Sequence, residues 1–112
     1  MINAYQQIII VVEIQVGSWV AVIYDNDWWP GKVESLEDGA AAINFMMPQP
    51  GATPGANRFI WPQKQELDRL PVEELLCVLT DEPKPVGRSG RHYQLSEVDY
   101  VSTNTLMADL VN

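Results

Sequence analysis

Along the first half of the chain, apolar and polar residues alternate with a period of two, the spacing of a half-buried strand. Ile8 to Ile14 is β-branched and reads as a strand, placed at a sheet edge or paired with another chain. WVAVIY, Trp19 to Tyr24, is the second strand. Its alternation puts Val20, Val22 and Tyr24 on one face and Trp19, Ala21 and Ile23 on the other. Trp28 to Leu36 is the third strand, with Trp29, Gly31, Val33 and Ser35 on one face and Lys32 and Glu34 toward water. Gly31 in mid-strand signals a bend or a close backbone approach. Asp38-Gly39 predicts a hairpin turn. Ala40 to Met46 then forms a fourth strand, with Ala41, Ile43 and Phe45 on one face.

The alternation stops at Met47. From there to Ala56 the chain holds three prolines and two glycines, which predicts an exposed loop. Asn57 to Pro62 reads as a short fifth strand. Leu70 to Leu76 reads as a helical turn with Pro71 at its start, and Cys77 to Leu79 closes the sheet. Residues 81–87 read as a connector. Ser96 with Asp99 three positions on matches a helix capping box, predicting a short helix over about 97–110. Thr103, Asn104 and Thr105 are weak helix formers within it. Mainly β, with a small five-stranded barrel, is the predicted class. The chain divides into an N-terminal extension strand (1–15), a barrel (16–79) and a C-terminal extension (80–112).

Composition narrows the function. The chain has 112 residues, the size of one domain, and 46% of them are hydrophobic, enough for a packed core. Its formal net charge of −8 opposes docking of the whole surface on nucleic acid or anionic lipid and suits a basic partner. One cysteine, Cys77, forms no internal disulfide, which suits a reducing compartment, nuclear or cytoplasmic. Ile8 to Val12 is too short an apolar run to cross a bilayer. His92 has no Cys, His or carboxylate at metal-ligand spacing, so neither a metal nor another cofactor is expected. Cys77 lies in an apolar run and reads as a small buried hydrophobe. No catalytic constellation is visible, and an enzyme is not expected.

Three stretches carry a family likeness: VGSWVAVIYD, Val16 to Asp25; WWPGKV, Trp28 to Val33; and AAINF, Ala41 to Phe45. Together they resemble the Tudor/Agenet group of SH3-like barrels, over about residues 16–79. Leu70 to Leu76 resembles the turn that closes such barrels. PVGRSGRHYQLS, Pro85 to Ser96, resembles the tail that follows such barrels in transposon-associated animal proteins, which implies a module of a chromatin or transposon-related protein. The resemblance implies a methyl-lysine or methyl-arginine reader that binds a basic peptide such as a histone tail. Its aromatic cage would use Tyr24, Trp29 and Phe45, with Asp25 or Asp27 supplying charge and Asp27 preferred. The chain departs from the pattern after Phe45, where Met46, Met47 and Pro48 follow. The last cage aromatic then comes from Phe59 or Trp61, with Trp61 preferred. The two methionines could instead form a soft apolar patch for a peptide.

Because Trp28 and Trp29 have opposite parity, only one can face the barrel interior. Trp29 is expected at the mouth and Trp28 in packing or an interface. Two other readings stay open. Ile8 to Ile14 could drive homo-oligomerisation or strand addition to a partner. Lys84, Arg88 and Arg91, with Trp28 stacking on bases, could make a weak nucleic-acid contact.

Overall fold

A computed structural model describes residues 14–53, 55–65 and 67–111. Its strands are β1 (Trp19–Tyr24), β2 (Asp27–Glu37), β3 (Ala40–Phe45), β4 (Met47–Pro48), β5 (Phe59–Ile60), β6 (Leu67–Pro71), β7 (Leu75–Val78), β8 (Lys84–Val86) and β9 (His92–Gln94). A 3-10 turn spans Val72–Glu74, and helix α1 spans Glu97–Val111. The strands form two antiparallel sheets, ordered β6-β3-β2-β1-β7 and β4-β5-β9-β8. No helix among the described residues is long and apolar enough to cross a membrane. The class is therefore mainly β, with one C-terminal helix.

The hairpins follow from their turn residues. Asp38 and Gly39 both take positive φ, 52° and 76°, as the tight β2–β3 connection requires. Asp25 lies at φ 54° between β1 and β2, a conformation that aspartate tolerates better than most residues. The predicted alternation holds along β1. Val20 and Val22 enter one core, with Val33, Ala41, Ile43, Val72 and Leu75. Ala21 enters a second core on the opposite face, with Trp28, Met46, Phe59, Leu76, Leu79, Leu95 and Met107. On β2 the register shifts between Val33 and Ser35, so one extra residue faces Ala42. That bulge inverts the parity beyond it. Leu36, not Ser35, then packs against the first core.

Both edge strands of the first sheet meet at one connection: β6 runs into β7 through the Val72–Glu74 turn alone. This requires a strongly curled sheet, with the first core inside the curl. Among the described residues no ladder joins β6 to β7.

The second core corrects several expectations. Met47–Pro48 is an edge strand inside the segment predicted to be loop, where Pro48 costs no central ladder bond. Phe59–Ile60 belongs to the second sheet and does not complete the first. The segment read as a connector, 81–87, contains β8, which pairs with β9, whose Tyr93 in turn pairs with Phe59. Turn residues Gly87 and Gly90 disguised this hairpin, because only three residues on each side form strand. The predicted strand at Ile8 to Ile14 lies outside the described residues except for Ile14, which packs on the first core.

Helix α1 starts as expected, with Ser96 Oγ accepting from the Asp99 N–H at 3.2 Å. Asp99 does not complete the capping box. Its carboxylate is buried, accepting from the Thr80 N–H and hydroxyl (2.9 and 2.8 Å) and the Asp81 N–H (2.9 Å). The weak helix formers are held by tertiary contacts. Thr103 is buried, with Oγ1 3.6 Å from Cys77 Sγ, and Asn104 Oδ1 accepts the Trp28 indole N–H at 2.8 Å.

Candidate functional site

At one end of the first core the curl opens into a cleft of about 380 Å³. Tyr24 comes from the end of β1, Trp29 from β2, Phe45 from the end of β3, and Asp68 and Leu70 from β6. Strand parity brings them together. Tyr24 continues the Val20–Val22 face, Trp29 opposes Val22 across the ladder, and Phe45 continues the Ala41–Ile43 face. Gly31 places Phe45: the two are ladder partners, and a Cβ at Gly31 would run into the Ile43 side chain and lie 3.3 Å from the Phe45 ring. The close approach expected of Gly31 is thus against its neighbouring strand.

The aromatic groups are accessible. Tyr24 is 53% exposed, and Trp29 is half-buried. Their rings stack with centroids 4.1 Å apart and planes 21° from parallel. That separation is van der Waals contact, so a ligand meets the outer faces and edges of the pair rather than the space between the rings. Asp68 contributes the carboxylate, with Oδ1 accepting the Arg69 N–H at 2.9 Å. The polar part of the rim is therefore acidic, and the walls are aromatic and aliphatic.

Three of the five expected cage residues, Tyr24, Trp29 and Phe45, share this cleft. Asp27 does not line it; its Oδ1 accepts the Trp28 N–H at 2.8 Å and so turns back on its own strand. Asp68 occupies the acidic position, and no spacing in the sequence tied it to Tyr24, because β6 reaches the cleft only through the sheet order. Trp61 lies instead in a neighbouring cleft of about 710 Å³ with Ile60, Arg91 and His92, its ring 5.8 Å from Trp19 and 6.4 Å from Tyr93. Phe59 is buried in the second core.

Trp28 is 3% exposed and packs 5.7 Å from Phe59 and 5.8 Å from Tyr100. It is not available to stack on a base, which removes half of the nucleic-acid reading. Lys84, Arg88 and Arg91 are exposed on the β8–β9 hairpin and its loop, and Arg91 alone of the three borders the Trp61 cleft. Trp19 takes an internal cation, Lys32 Nζ, 6.0 Å from its ring centroid. Burial pushes the Cys77 thiol up from 9.0, with the nearby Asp99 charge adding to it and the Thr103 hydrogen bond opposing. A thiol so raised stays protonated near neutrality and is a poor nucleophile.

Compared with family models, curated proteins and solved structures, the chain matches none.

Proposed function

We propose that the chain is a non-catalytic interaction module, an SH3-like barrel of Tudor type, that holds a basic peptide by a methylated lysine or arginine at the Tyr24–Trp29–Phe45 cleft. The observation that carries this reading is the convergence of three accessible aromatic rings and Asp68 on one open cleft. A methylated ammonium or guanidinium is apolar enough to leave water and keeps its charge. Ring faces attract it by roughly 0.5–2 kcal/mol each, and a carboxylate at the rim adds charge complementarity. The strand order β6-β3-β2-β1-β7, with its edges linked by one 3-10 turn, supports the barrel class. The net charge of −8 supports a basic partner, chiefly by steering encounter. A histone tail has this chemistry, and a chromatin module in the nucleus is the setting it suits.

Calorimetric titration with unmodified and trimethyl-lysine histone-tail peptides tests the proposal. Binding should prefer the trimethylated peptide, and Trp29→Ala should weaken it about tenfold, the equivalent of ~1.4 kcal/mol. Equal affinity for both peptides, unchanged in a folded Trp29→Ala variant, would overturn it.

A further inference from the structure

The Trp61 cleft adjoins the first one. Met47 and Pro62 line both, so the two share a wall and together make a two-part groove. The two halves differ in charge. The first carries Asp68, while the second carries Arg91 and no carboxylate among the described residues that line it. On a chain of net charge −8, a cationic half-groove beside an anionic one is a specific arrangement. It would repel part of a uniformly basic peptide and hold one that carries both signs.

A third cleft, of about 240 Å³, shares Trp61, Pro62 and Gln63 with the second and includes Asn44. Asn44 Oδ1 is buried without a hydrogen-bond partner among the described residues. A buried acceptor left unpaired is costly.

We infer that the groove binds an extended peptide of mixed charge, in which the cationic residue at Tyr24–Trp29–Phe45 is accompanied by an acidic residue held by Arg91 beside Trp61. This rests on the proposed function of the first cleft and adds a second, sequence-reading subsite to it. Extended chain advances ~3.3 Å per residue, so an acid a few residues from the methylated side chain can enter the neighbouring cleft. Trp61 supplies the apolar floor for the intervening residues, and Arg91 an exposed guanidinium able to grip a carboxylate with two bonds.

The test uses the full chain and synthetic peptides with one trimethyl-lysine, otherwise glycine and serine, and a glutamate two, three or four residues to either side. Matched peptides carry glutamine instead. Arg91 is exposed, so Arg91→Glu is expected to fold normally, checked by circular dichroism. At least one glutamate peptide should bind three- to tenfold tighter than its glutamine partner. Arg91→Glu should abolish that ratio while leaving the glutamine peptides unaffected. If trimethyl-lysine binding is present and depends on Trp29, but glutamate and glutamine peptides bind alike, the second subsite is wrong and the first stands. If no peptide binds, the reading of the first cleft fails and this one with it. Salt-sensitive binding of a uridine oligonucleotide that is lost in Arg91→Glu would assign the Trp61 cleft to single-stranded nucleic acid and overturn the peptide assignment.

Discussion

A strand sends successive side chains to opposite faces, and at Trp28-Trp29 this sends one indole into the core between the sheets and the other to an open cleft. The two positions should respond oppositely to truncation. Trp28→Ala empties a buried site and removes the donor to Asn104, so it should cost about 3–5 kcal/mol in urea unfolding. Trp29→Ala should cost far less than Trp28→Ala and weaken peptide binding instead. Equal destabilisation by both would show that Trp29 is also core. Parity was enough to send the two indoles to opposite faces, while the choice of Trp29 for the cleft, with Tyr24 and Phe45, came from the resemblance to Tudor/Agenet barrels. Parity could not place Trp61 or Asp68, since each reaches its cleft through the order of strands distant in sequence. Cys77 titration gives a second test at this scale. Its native pKa is raised, so the stability linked to its protonated form is full below pH 9.0, where the unfolded thiol is also protonated, and is lost as pH climbs through the higher native value. The stability of the native chain relative to a Cys77→Ala variant should fall above pH 9.0 and be constant below it, measured by urea unfolding across that range.

Among the elements, β2 does most to shape the molecule. It is 11 residues long, it pairs with β1 and β3, and its bulge at Glu34–Ser35 turns one strand into two segments of opposite parity. Gly31 is the close contact on which the β2–β3 pairing and the Phe45 position both depend. Gly31→Ala should destabilise by about 1–3 kcal/mol, the usual cost of forcing extra volume into a packed site, and should weaken peptide binding by displacing Phe45. A variant with unchanged melting temperature and affinity would contradict that role. The strands with long alternation and clear turns, β1 to β3, were readable from sequence to within a residue or two. The short strands β4, β8 and β9 were not, since so short a ladder leaves no period to detect; β5 was read as a strand within Asn57 to Pro62, but its place in the second sheet was not. Helix α1 was readable through Ser96, while the reason it tolerates Thr103 and Asn104 lay in Cys77 and Trp28, outside any local window.

For the molecule as a whole, the C-terminal segment supplies Leu95 and Met107 to the second core. Asp99 ties α1 to residues 80–81, and Asn57 holds Leu95 through paired hydrogen bonds of 2.8 and 2.9 Å. Ending the chain at Leu79 would leave Trp28, Met46 and Leu76 facing water. Such a truncation should lose cooperative melting, followed by circular dichroism; a sharp transition near that of the full chain would contradict this. Whole-chain charge was plain from composition, but the placement of Arg91 beside Trp61 emerged only when the β8–β9 hairpin joined the second sheet. The central claim is that Tyr24, Trp29 and Phe45 form the ligand site while Trp28 is core. The most direct measurement follows the indole N–H resonances of the four tryptophans by NMR during titration with a trimethyl-lysine histone-tail peptide. The Trp29 resonance should move progressively while that of Trp28, bonded to Asn104, stays fixed. A titration that leaves Trp29 in place, or moves Trp28 in its stead, would contradict the claim.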